Sequence, residues 1–173
     1  MILHPGHEQL LLPVKPGLIW FSLFVALVLN LLPLGRVLWM PDFLAVVLVF
    51  WGVHQPRRVG ITVAFLFGLV MDVHQAALLG QNALAYSVLT FLAMAAHRRL
   101  RWFPLGVQAV QVLPIFLLAQ AIVVGLRVLG GGVFPGWLVF AGALAEAVVW
   151  PVISLLLLAP QRRPPDPDKN RPL

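Results

Sequence analysis

The chain has 173 residues, of which 61% are hydrophobic and 10% charged, with a formal net charge of +6 and no cysteine. A soluble domain of this size carries about a quarter charged residues, so a single aqueous core is excluded and a bilayer is the solvent that fits. Without cysteine there are no disulfides, thiolate metal sites or thiol nucleophiles.

The first 16 residues form a mixed polar and apolar leader ending at Lys15 and Pro16. The first apolar run, Leu18 to Leu34, resembles a signal peptide only in its preceding lysine. The segment Pro33-Leu34-Gly35-Arg36 lacks a small-x-small cleavage pattern, so an uncleaved anchor is expected. The second run covers roughly Val37 to Val53 with Pro41-Asp42 near its start. Proline suits a first helical turn, and an aspartate there favours the positive helix end. A helix starting at Pro41 would be about 21 Å long, short for a hydrocarbon core of about 30 Å.

The third run is Gly60 to Leu79 and the fourth Ala83 to Ala96, joined by a tight turn at Gly80-Gln81-Asn82. The fifth, Pro104 to Leu129, contains Pro114, which denies the carbonyl of Val110 a donor and predicts a kink. Gly130-Gly131-Gly132 and Pro135-Gly136 break the chain before the sixth run, Trp137 to Leu158. The expected organisation is therefore all-α: one six-span transmembrane domain over residues 1–160 and a disordered cytoplasmic tail over 161–173, rich in proline and charge.

Loop charge sets the orientation. With an internal amino terminus, one side receives Lys15, Arg57, Arg58, Arg98, Arg99, Arg101, Arg162, Arg163, Lys169 and Arg171; the other receives Arg36 and Arg127. Ten against two places the first side, and both termini, in the cytoplasm. The same short clusters, set between apolar runs, offer no basic helix or stacking platform for nucleic acid. They anchor topology against anionic headgroups and offer a docking site to an acidic cytoplasmic partner. Trp39, Trp51, Trp102, Trp137 and Trp150 fall mostly near run ends, as an aromatic belt requires.

In the third run Gly60, Ala64, Gly68, Asp72, Ala76 and Gly80 recur every four residues. On a helix they form one nearly bare ridge, which lets neighbouring backbones approach closely. The ridge drifts about 40° per step, so more than one neighbour should share it. Asp72 lies inside the span, where an ionisable group faces protein or a cavity: it is read either as a packing carboxyl or as a binding or proton-linked one. Glu146, in the alanine-rich sixth run, is the second deep acid. Arg127 is a candidate counter-ion for either. Gln108, Gln111 and Gln120 are candidates for interhelical hydrogen bonds. The five histidines are scattered, and HExxH, GxSxG and phosphate-loop patterns are absent from the sequence, so neither a metal or other cofactor nor a catalytic residue is assigned.

These residues carry a resemblance. Pro41-Asp42-Phe43-Leu44, the stretch Gln55-Pro56-Arg57-Arg58-Val59-Gly60, Ala64 through Asp72, and Leu79-Gly80-Gln81-Asn82-Ala83-Leu84-Ala85-Tyr86 resemble the bacterial rod shape-determining MreD family, as does His97-Arg98-Arg99-Leu100-Arg101 before Phe103-Pro104. The resemblance implies a non-enzymatic inner-membrane assembly factor of the cell-elongation peptidoglycan machinery. It implies MreC as a partner, and MreB, RodA and its penicillin-binding transpeptidase directly or indirectly; a homodimer is among the partners it allows. It also implies a fold like the membrane substrate-binding subunits of energy-coupling-factor transporters. The alternative reading is a transporter-like subunit binding a small molecule or lipid, which needs a cavity lined by groups such as Asp72, Gln81, Asn82 or Glu146. A third reading, an intramembrane enzyme, needs Asp72 and Glu146 paired.

Overall fold

The computed structural model describes residues 14–32 and 40–161. The leader before Val14, the positions of Arg36 and Trp39, and the tail from Arg162 onward lie outside the described residues. Within them the chain forms six α-helices and no strand: α1 Pro16–Leu31, α2 Phe43–His54, α3 Ile61–His74, α4 Gln81–Arg101, α5 Leu105–Leu129 and α6 Phe140–Leu158. A short 3-10 turn, Trp137–Val139, leads into α6, and another, Ala159–Gln161, follows it.

α2 is the centre of the bundle. Every residue from Leu44 to Val53 is buried, and the helix packs against α1, α4 and α6. A helix apolar on all sides belongs in an interior, and α2 has no polar stripe to turn outward. α3 packs mainly on α4, α4 on α5, and α5 on α6. The outer faces remain apolar: Phe21 on α1, Val73 on α3, Val110 on α5 and Val148 on α6 are each at least two-thirds exposed. Apolar exposure on this scale suits lipid contact. The segments Leu105–Leu129 and Trp137–Gln161 are long and apolar enough to cross a membrane, whereas α1, α2 and α3 are shorter apolar helices.

The helix limits differ most from the sequence reading in three places. α2 starts at Phe43, and Asp42 is its N-cap, accepting from the Ala45 N–H at 2.9 Å. Pro41 therefore lies outside the helix, because a carboxylate that caps the N3 amide needs extended backbone at the cap. α3 ends at His74, five residues early. Ala76 has φ 49° and Gly80, the residue before α4, has φ 97°, so the four-residue ridge leaves the helix after Asp72. The reason is the Asp72 carboxyl, which draws the chain back to itself (below). Finally, α4 starts at Gln81 and extends to Arg101. Arg98, Arg99 and Arg101 thus sit in its last turn, where cations meet the negative helix end.

Two tryptophans also depart from the expected belt. Trp51 and Trp150 are fully buried, while Trp102 and Trp137 are more than four-fifths exposed. The buried indoles find internal partners: Trp51 Nε1 donates to Ser22 Oγ at 2.8 Å and Trp150 Nε1 to Gln108 Oε1 at 3.3 Å. With its N–H satisfied, an indole ring is a large apolar filler. Pro114 is accommodated inside a continuous α5, and Pro151 inside α6. Gly131 and Gly136, with φ 85° and 92°, make the break between these helices, as the glycine and proline pattern predicts.

Candidate functional site

Four helices meet at Asp42. Its Oδ1 accepts from Ala45 N and, at 2.6 Å, from Asn30 Nδ2 near the end of α1. Asn30 Oδ1 in turn accepts from Phe43 N at 3.1 Å, so the last turn of α1 clamps the first turn of α2 reciprocally. The Tyr86 hydroxyl of α4 donates to Asp42 Oδ2. The Asp42 N–H donates to Glu146 Oε1 of α6 at 3.2 Å. A carboxylate accepting three hydrogen bonds is well stabilised in a low-dielectric site, each contact to a charged group being worth about 1.5–3 kcal/mol.

This junction borders a cavity of about 830 Å³. Its wall combines Asn30, Asp42, Tyr86, Asn82, Gln120, Glu146, His74 and Arg127 with Leu29, Met40, Val123 and other apolar side chains. The lining residues come from the end of α1, the start of α2, the end of α3, the start of α4, the end of α5 and the start of α6. All six helices therefore present one common end to it. Arg57, Arg58, Arg98, Arg99 and Arg101 occupy the other end and are exposed; Arg58 Nη1 donates to Val14 O at 3.2 Å.

Asp72 belongs to a different junction. It is 1% exposed, and its carboxylate accepts from Asn82 N at 2.7 Å, Gly80 N at 2.8 Å and Ala83 N at 3.4 Å. These are the free amides at the start of α4, so α3 supplies the cap that α4 lacks in its own sequence. Asn82 Nδ2 reinforces the corner by donating to Gln75 Oε1 at 3.2 Å. One turn before Asp72, Gly68 lies against the same corner: a Cβ there would come within 2.3 Å of Ala83 Cα and 2.6 Å of Ala83 N. Ala64 is fully buried, whereas a Cβ on Gly60 would meet nothing within 4 Å.

The geometry sorts the sequence candidates. Asp72 and Glu146 are not joined: the acid that contacts Glu146 is Asp42, and the oxygens of Asp72 are engaged by amides. Arg127 shares the cavity with Glu146, not the Asp72 junction. Of the cavity residues named for the alternative reading, Asn82 and Glu146 line the wall; Asp72 and Gln81 do not. Gln108 and Gln120 bridge elements, the latter through Nε2 to Val139 O at 3.1 Å, while Gln111 Oε1 is buried without a partner among the described residues. Asp42, Asn30 and Tyr86 were not expected as a group. The available signal was a polar residue near one end of the first, second and fourth apolar runs, with Tyr86 the only tyrosine in the chain.

Fold and site together define an all-helical protein of membrane character, apolar on its outer faces, with a polar-walled cavity at one end and a cluster of five arginines at the other. The family model described as rod shape-determining protein MreD matches residues 14–159. The chain belongs to the MreD family. It is 28% identical over 150 residues to the rod shape-determining protein MreD of Haemophilus influenzae, a match covering 83% of this chain and 93% of that one. No solved structure matches. The family is one of bacterial membrane proteins with a shape-determining, structural role and is not a known enzyme family.

Proposed function

We propose that the protein is a six-span, non-enzymatic component of the cell-elongation machinery in the bacterial inner membrane, holding MreC and, directly or through it, MreB, RodA and its penicillin-binding transpeptidase. The observation that carries this reading is the family match across residues 14–159. The outward apolar faces of α1, α3, α5 and α6 support insertion of the whole bundle, since no aqueous protein leaves such faces uncovered. The concentration of five of the six described arginines at one end, with Arg127 alone at the cavity end, supports both termini in the cytoplasm. On the same reading the bundle is arranged like the energy-coupling-factor substrate-binding subunits, and its cavity opens toward the periplasmic side.

The test is affinity purification of the tagged full-length protein from mild-detergent membranes. Recovery of MreC with the wild-type protein, together with loss of rod shape on gene deletion, is the expected result. Normal rods after deletion, with the elongation proteins still associated, would sink the proposal.

A further inference from the structure

The cavity has a physical origin in unequal helices. At about 1.5 Å per residue, α2 spans about 18 Å and α3 about 21 Å, against about 32 Å for α4 and 38 Å for α5. In a hydrocarbon core of about 30 Å, α2 falls roughly two turns short, and the cavity lies at the end where α2 begins, beside Asp42. Its volume, about 830 Å³, lies within the range of small-ligand sites, about 300–1,000 Å³.

The wall has two opposite demands. Asp42 and Glu146 bring carboxyl groups to it, and Arg127 a guanidinium. Glu146 is 3% exposed; among the described residues its one hydrogen bond is made by Oε1, and Oε2 receives no donor. Asp42 is held by Asn30, Tyr86 and Ala45, all neutral donors, so neither carboxyl has a cation as its hydrogen-bond partner among the described residues. A buried carboxyl of this kind calls for a positive group carrying N–H donors. Arg127 calls for an anion, and its planar fork suits phosphate. One chemical group meets both: a primary ammonium two carbons from a phosphate. A choline headgroup has no N–H to give Glu146, and a glycerol headgroup has no cation at all.

We propose that this cavity binds a phosphoethanolamine group, its ammonium on Glu146 and Asp42 and its phosphate on Arg127. The apolar remainder of the wall, Leu29, Met40 and Val123 among it, accepts the hydrocarbon that follows when the group is a lipid headgroup. This site is independent of the assembly role: MreC binding can fail while the cavity binds, and the converse.

The test is native mass spectrometry of the full-length protein with equimolar phosphatidylethanolamine, phosphatidylglycerol and phosphatidylcholine of matched acyl chains. Wild type is expected to retain the ethanolamine lipid about tenfold over the other two, the weight of one charge-assisted contact of about 1.4 kcal/mol. Glu146→Gln should abolish that preference while leaving the bundle intact, because the replacement amide oxygen still accepts from Asp42 N–H. Arg127→Gln, at an exposed position, should lower retention of the ethanolamine lipid and provides the same reading if the first variant misfolds. Displacement of the lipid by excess soluble phosphoethanolamine assigns the site to a soluble ligand; retention against it assigns a lipid headgroup. Equal retention of the three lipids by wild type overturns the proposal. So does a preference that survives Glu146→Gln, or ethanolamine-lipid retention unaltered by Arg127→Gln.

Discussion

Tyr86 and Asp42 stand 44 residues apart in the chain, and the hydroxyl of the one donates to the carboxylate of the other. Through this pair α4 is tied to the point where α1, α2 and α6 already converge. Both residues line the cavity, so the bond stabilises the bundle and shapes its polar wall. Tyr86→Phe removes the donor without altering the packing volume. We expect a loss of about 1.5 kcal/mol, seen as a melting temperature in detergent lowered by several degrees. An unchanged melting temperature would show that water or a neighbour replaces the hydroxyl at no cost.

Gly68 sets the distance between α3 and α4. Because a Cβ at this position would lie 2.3 Å from Ala83 Cα, relief requires moving backbone, not a side-chain tip. Gly68→Val should cost more than about 4 kcal/mol, leaving little protein in the membrane by immunoblot. Gly60→Ala, with nothing within 4 Å of the added carbon, should accumulate normally. Comparable levels of the two variants would refute the close-approach argument.

Asp72 acts on the first turn of α4. Asp72→Asn turns one acceptor oxygen into a donor facing the amides of Gly80, Asn82 and Ala83, and removes the charge at the helix start. The expected cost is about 2–4 kcal/mol, and Asp72→Leu should cost more. If the role of Asp72 is confined to this corner, MreC recovered per folded molecule will not change in Asp72→Asn. A fall in that ratio at normal protein level would place the partner interface on α3.

The absence of cysteine in the sequence makes topology directly measurable. Single cysteines at Arg99, in the last turn of α4, and at Val133, in the exposed link between α5 and α6, mark the two ends of the bundle. With the arginine-rich end cytoplasmic, a membrane-impermeant maleimide added to intact spheroplasts should label Val133→Cys and spare Arg99→Cys. The reverse pattern would invert the orientation, and labelling of both would remove the spanning reading.

Class and element order were legible in the sequence because they depend on local quantities. Apolar run length, proline and glycine position and the sign of loop charge are each read within about twenty residues, and lipid imposes helix on such runs whatever their neighbours. The family was legible for the same reason, in contiguous segments such as Ala64 through Asp72 and Leu79 through Tyr86. What the tertiary structure alone decided was which polar groups share a point in space. Nothing local says that Asp72 caps the following helix, that Trp51 and Trp150 lie inside instead of at a boundary, or that α2 is enclosed on every side. Nor does any local pattern bring Asn30, Asp42, Tyr86 and Glu146 to one wall. The hydrogen bonds that hold them span up to 104 residues, and a buried polar group takes its partner from whatever packing brings within about 3 Å. In this bundle that partner is chosen by helix length: α2 is short, and its capping carboxylate meets the three helices around it.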